Sequence, residues 1–143
     1  MGSNFLKVSV VWFDDGILEL ELQASNESFK GRTNFYAAHD ACTALAAKFD
    51  NFPRGRDDVR MHEFGGDDLP GYGAAQIRVR TQDALGHLLV QVDMHWISAF
   101  AKDVPQSAAI RLYCTPVDLD GFVEQLQNMS LEVGQSAVLM GQV

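Results

Sequence analysis

Hydrophobic and polar residues alternate almost without interruption from Gly86 to Trp96. Leu88, Val90, Val92, Met94 and Trp96 fall on one side of an extended strand, and His87, Gln91, Asp93 and His95 on the other, joined there by the single apolar Leu89. Such a strand is half-buried. Its apolar side belongs in a core, so any function it carries comes from the polar side. The run before it, Ala75 to Gln82, alternates in the same way, with Ile77, Val79 and Thr81 against Gln76, Arg78, Arg80 and Gln82. Asp83-Ala84-Leu85-Gly86 joins the two as a four-residue loop that sets Gln82 opposite His87 and Arg78 opposite Gln91. A shift by two sets Arg78 opposite Asp93 instead. Either register gathers Arg78, Arg80, His87, Gln91, Asp93 and His95 on one hairpin face, the most chemically loaded surface that the pattern predicts.

The same logic reads the rest of the chain. Val8 to Phe13 is rich in β-branched and aromatic residues and stops at Asp14-Asp15-Gly16, a hairpin signal because Asp-Gly tolerates positive φ. With Asp15-Gly16 as the turn, Phe13 faces Leu18 and Val11 faces Leu20 on the buried side. Val8, Val10 and Trp12 then share the other side with Glu19 and Glu21, a mixture that calls for cover by a helix, a twist of the sheet or another molecule. After the turn residues Ala24 to Glu27, Ser28 to Tyr36 puts Phe29, Gly31, Thr33 and Phe35 on one face and Lys30, Arg32 and Asn34 on the other, with Lys30 and Arg32 expected opposite Glu21 and Glu19. Gly31 leaves room for a close approach on the core side.

From His39 the period changes to that of a helix, with Ala41, Leu45, Ala46, Phe49 and Phe52 on one face, Asp40 placed for the positive end of its dipole, and Pro53 as the stop. Val59 to Phe64 reads as a short strand and Gly65 to Gly73 as an exposed loop. Ala108 to Cys114 is a strand. Thr115 as N-cap, Pro116 at the first turn and Asp118 three residues on start a second helix through Phe122, Leu126 and Met129. Val133 to Val143 adds a last short strand or packing tail.

These elements predict an α+β fold: mainly antiparallel sheet with two helices packed on it. Setting Phe35-Tyr36 on Leu112-Tyr113, a displacement of 77 positions (112 − 35), places Leu45 on Phe122, Phe49 on Leu126 and Phe52 on Met129. That agreement allows a ββα internal duplication. At 143 residues, 47% of them hydrophobic, the chain suits one domain over residues 1–143.

Composition narrows the functional classes. A net charge of −8 argues against a nucleic-acid surface, whose affinity comes largely from Lys and Arg, and suits a basic partner better. No run approaches the ~18 apolar residues of a membrane span, and no basic segment precedes a long apolar stretch, so a cytoplasmic protein away from the membrane is expected. Cys42 and Cys114 lie in no CxxC or zinc spacing and read as free buried thiols. His62, Glu63, Asp67 and Asp68 are donors close in sequence but match no metal motif, and Gly71-Tyr72-Gly73 falls one glycine short of a dinucleotide fingerprint. No cofactor is expected.

Three segments carry a family resemblance: SFKGRTNFYA before the first helix, the strand GHLLVQVDM, and IRLYCTPVDLDGFVEQLQNM with its Thr-x-x-Asp helix start. In hydrophobic spacing, over about Leu18 to Met129, they resemble the small WapI-type immunity proteins. The resemblance implies a cytoplasmic protein that neutralises a cognate bacterial toxin domain by binding it. It marks no contact set to carry over.

Two readings of the loaded face follow. As a docking surface, Arg78, Arg80, His87, Gln91, Asp93 and His95 meet a protein partner or a second copy of the chain. As a small-molecule- or metal-binding, enzyme-like site, Asp93 orients His95 as a base and Arg78 holds an anion. The second reading is the weaker. Residues i and i+2 on a strand stand ~6–7 Å apart, there is no GxSxG, HExxH or phosphate loop, and no third metal ligand is identifiable.

Overall fold

The computed structural model describes residues 4–65, 72–100 and 104–142. Among these residues eight strands and two helices follow one another as β1 (Phe5–Asp14), β2 (Ile17–Ser25), β3 (Lys30–Ala37), α1 (Ala41–Phe49), β4 (Val59–Phe64), β5 (Tyr72–Thr81), β6 (Leu88–Ile97), β7 (Gln106–Cys114), α2 (Pro116–Asn128) and β8 (Ser136–Met140). The strands form two four-stranded sheets, ordered β3-β2-β1-β8 in sheet A and β4-β5-β6-β7 in sheet B, with every pairing antiparallel. The α+β expectation holds, with two sheets in place of one.

Each half of the chain lends a strand to the other. β1 to β3 form a meander and α1 follows; the next strand, β4, then leaves sheet A and pairs with β5. β5 to β7 repeat the meander, α2 follows, and β8 returns to sheet A beside β1. β8 begins 77 residues after β4 (136 − 59), the same displacement that aligns the two strand-helix junctions. This plan is consistent with a repeated unit, extended from the expected ββα to three strands, a helix and an exchanged strand.

One core joins both sheets and both helices. Leu6, Val8, Val10, Leu18, Leu20 and Leu22 of sheet A, Ile77, Val79, Leu88, Val90 and Val92 of sheet B, Leu45 and Phe49 of α1, and Phe122 and Leu126 of α2 are all buried in it. α1 packs on α2, and α2 on β8. The start of α2 is the predicted one: the Thr115 side chain accepts from the Asp118 N–H, and the Asp118 carboxylate accepts from the Thr115 N–H. Asp40 sits at the α1 N-cap position, but its side chain makes no cap hydrogen bond.

The sheets meet where β3 crosses the β5–β6 end of sheet B. Phe35 stacks on Phe64 with ring centres 4.7 Å apart, and the Thr33 hydroxyl donates to the His95 carbonyl at 3.0 Å. Glycine permits the approach at two places. A β-carbon on Gly73 would overlap the Thr33 hydroxyl and the Asn34 carbonyl, and one on Gly31 would lie 2.8 Å from the Met94 Cε. The close approach expected at Gly31 is therefore present. Gly73, expected in a loop, lies in β5 instead, because the strand starts three residues earlier than the alternation shows.

Three registers bear on the faces of the sheets. In the β5–β6 hairpin Arg78 pairs with Gln91 and the Gln82 N–H donates to the His87 carbonyl, as the four-residue loop requires. Between β2 and β3, Glu19 pairs with Tyr36 and Glu21 with Asn34, a correction to the expected partners Lys30 and Arg32. The cause is the turn: Asn26 accepts from the Ser28 and Phe29 N–H groups, which closes the hairpin tightly and pairs Ser25 with Lys30. Arg32 then reaches Glu21 on the diagonal at 3.6 Å.

The third register, between β1 and β2, is also a correction. Phe13 faces Leu18 as expected, but Val10, not Val11, faces Leu20, because a bulge at Val11 adds one residue to β1. The extra residue reverses the parity of the strand. Val8 and Val10 therefore point into the core, while Trp12 alone turns outward beside Glu19.

The close approach at Gly73 is testable. Gly→Ala ordinarily gains about 0.4–1 kcal/mol from the unfolded chain, whereas forcing a methyl into packed backbone costs about 1–3 kcal/mol or more. Gly73→Ala should lower stability by about 2 kcal/mol or more in urea unfolding. Gly31→Ala should cost clearly less, because the flexible end of Met94 can move. Equal effects would contradict the crossing.

Candidate functional site

Sheet B presents its outer face in rows set by the registers. Glu63, Gln76, Asp93 and Ala109 form one row; Met61, Arg78, Gln91 and Arg111 the next; Val59, Arg80, Leu89 and Tyr113 the third. His95 lies beyond the first row, between Ala74 and Ser107. Among the described residues no helix seals this face: Arg78, Arg80, His95 and Arg111 are exposed, Gln91 and Asp93 half-buried. Five of the six expected residues are thus brought together. His87 is not among them. It sits at the turn, where its Nδ1 lies 2.8 Å from Asp83 Oδ2 while Asp83 Oδ1 accepts from the Leu85 and His87 N–H groups. The hydrogen bond from His87 holds the Asp83 carboxyl below its ordinary range.

The face is organised by its own hydrogen bonds. Arg111 Nε donates to Gln91 Oε1 at 3.2 Å, and Gln91 Nε2 donates to both Asp93 oxygens at 3.2 and 3.3 Å. Gln76 donates to Glu63 at 3.2 Å, and Arg78 lies 3.8 Å from the Met61 sulfur. Arg111 is a member that the sequence reading missed, although its place in AAIRLYC, between buried Ile110 and Leu112, was the available signal. The Asp93 carboxylate is thus engaged by Gln91 rather than His95. Among the described residues, no group of three His, Cys, Asp or Glu side chains could hold a metal ion. Of the donors noted in sequence, His62 and Glu63 lie on opposite faces of β4, and Asp67 and Asp68 fall outside the described residues.

Other polar groups serve the architecture. Arg60, on the inner side of β4, donates to the Asp50 carbonyl at 2.6 Å just past the end of α1, pairs with Asp58 at 2.8 Å, and lies over the Phe52 ring. The hydrogen bond from Arg60 holds the Asp58 carboxyl below its ordinary range. His62, beside Phe64, is pushed below its ordinary value mainly by burial, with nearby Lys48 adding to the effect. Cys42 and Cys114 are free and buried; burial pushes their thiols up to about 11 and about 12.

A cleft of about 430 Å³ opens between β3 and the end of β6, walled by Glu19, Glu21, Arg32, Asn34, Trp96 and Gln106. It adjoins the outer face of sheet A. There the rows read Ser9, Glu21 and Asn34, then Trp12, Glu19 and Tyr36, then Asp14 beside Ile17.

No protein-family model, no curated protein and no solved structure matches this chain.

Two outcomes follow from the buried titratable groups. The unfolded chain protonates His62 near 6.5, and the folded chain only at lower pH. The stability that depends on a neutral ring is therefore complete above about pH 6.5 and declines as the pH falls through that value. Denaturation midpoints should drop between pH 7.5 and 5.5, and His62→Gln should flatten that slope; an unchanged slope contradicts the assignment. The two thiols should react with a disulfide reagent at pH 8 only on unfolding, and rapid labelling of the native protein would contradict their burial.

Proposed function

We propose that this protein is a non-enzymatic protein-binding domain of the cytoplasm and, as the resemblance to WapI-type proteins implies, an immunity factor that occupies a toxin domain. The observation that carries the reading is the Arg111–Gln91–Asp93 chain. It fixes exposed Arg111 and half-buried Gln91 and Asp93 before any partner arrives, which lowers the ordering cost of association. Arg78, Arg80 and His95 stand around it open to solvent, and arginine is enriched where proteins meet.

A catalytic reading finds less support. The oriented Asp93–His95 couple that it needs is replaced by the bond to Gln91, and the face is broad and open where chemistry favours a recess. The two free, buried thiols fit a reducing compartment.

Co-expression with the product of the neighbouring gene tests the proposal. The two chains should purify as a stoichiometric complex. Arg78→Glu combined with Arg80→Glu should weaken that complex about tenfold or more, equivalent to about 1.4 kcal/mol. Failure to form any complex, together with tight binding of a metal ion or metabolite, would contradict it.

A further inference from the structure

The outer face of sheet A carries a feature that the core does not explain. Trp12, Ile17 and Tyr36 are 42%, 39% and 42% exposed there, close together at the β1–β2 hairpin end, while Phe13, paired with Leu18 on the opposite face, is 43% exposed at the same end. Without the Val11 bulge, Trp12 would follow Val8 and Val10 into the core; the bulge turns it out. Bulges recur where a strand must re-aim a side chain.

The exposed rings are held in place. Trp12 and Tyr36 meet edge to face with centres 6.1 Å apart, across the strand that carries Glu19. Phe13 stacks on His39 at 5.3 Å, and the Gly16 N–H donates to the His39 Nε2 at 3.0 Å, which ties the hairpin tip to the start of α1. Large rings already fixed in place lose little freedom on binding, and tryptophan and tyrosine dominate interface energetics.

Charge selects the occupant. Asp14 and Asp15 edge the tip, Glu19 lies between the Trp12 and Tyr36 rings with Glu21 in the next row, and both glutamates wall the adjoining cleft with Trp96. Asn34 Nδ2 donates to Glu19 at 3.0 Å, and exposed Arg32 holds Glu21 by a single contact of 3.6 Å. Carboxylates beside indole and phenol faces receive a guanidinium well, by ion pairing at the edge and cation–π contact above the ring. Sheet B displays Arg78, Arg80 and Arg111, so the two outer faces differ in the partner they favour.

We infer that the Trp12–Glu19–Tyr36 face and its adjoining cleft form a docking surface for a basic protein segment that places arginine side chains between the carboxylates and the rings. The inference rests on the reading of the chain as a protein-binding domain, but it names a different face and a partner of defined charge.

A twelve-residue peptide of alternating arginine and serine, titrated into the ¹⁵N-labelled protein, tests it, with a glutamate–serine peptide as control. The basic peptide should shift the Trp12 indole and the amides of Glu19, Glu21 and Tyr36, and the control should not. Trp12→Ala, and separately Glu19→Gln with Glu21→Gln, should each raise the Kd about tenfold or more. Trp12→Phe should recover part of the loss, and Arg78→Gln should leave the Kd within about threefold. Equal binding of the acidic peptide, shifts centred on sheet B, or no saturable binding would overturn the surface. Self-association in sedimentation velocity that Trp12→Ala abolishes would also overturn it, by making a second copy the occupant. A co-expressed complex that forms while the basic peptide shows no saturable binding would overturn this surface and leave the protein-binding reading standing.

Discussion

Neither sheet of this protein closes from one half of the chain. β4 completes sheet B from the first half and β8 completes sheet A from the second, so each sheet depends on a strand delivered by the other half's helix. The exchange constrains everything else. It places α1 against β4 and α2 against β8, and it forces β3 across the end of sheet B, where only the missing side chain of Gly73 lets the backbones approach. The C-terminal residues tighten the same closure: the Gly141 N–H donates to the Asn4 carbonyl and the Gln142 N–H to the Tyr113 carbonyl, which ties the start of β1 to the end of β7.

The inner faces of both sheets are spent on the core, so the candidate surfaces are the outer ones. Those differ in kind. Sheet B shows arginines and amides joined by hydrogen bonds around Gln91, and sheet A shows aromatic rings set among carboxylates. The net charge of −8 is therefore unevenly expressed, and one number for the whole chain conceals an arginine-bearing face. The polar face of β6 that first draws attention in the alternation is one of two candidate surfaces, and the second exists only because of one inserted residue in β1.

Local signals were legible in the amino-acid order. Asp15-Gly16 and the loop at Asp83 to Gly86 marked their hairpins, the latter with the observed register as one of two allowed, and Thr115, Pro116 and Asp118 marked the start of α2. The displacement of 77 positions pointed to the repeated plan. What stayed hidden depends on distant partners or on single-residue geometry. Alternation cannot show a bulge, because parity counted from Val8 looks continuous through Val11 until the strand is seen against β2. The β2–β3 register turned on how Asn26 folds its side chain onto the next N–H groups, a choice that charge matching between Glu21 and Lys30 was too weak to decide. Arg111 went unnoticed for a similar reason: its importance comes from lying opposite Gln91, a pairing between strands twenty residues apart. No periodicity within β4 or β8 says which sheet each one joins.

The interdependence of the two halves is the central claim, and native-state hydrogen exchange measures it most directly. If each exchanged strand is integral to the sheet it completes, the slowest amides of β4 and β8 should exchange with the same free energy as those of β1 and β5, by unfolding of the whole domain. Exchange of β8 or β4 through an opening several kcal/mol cheaper, with the rest of the sheets still protected, would contradict the account.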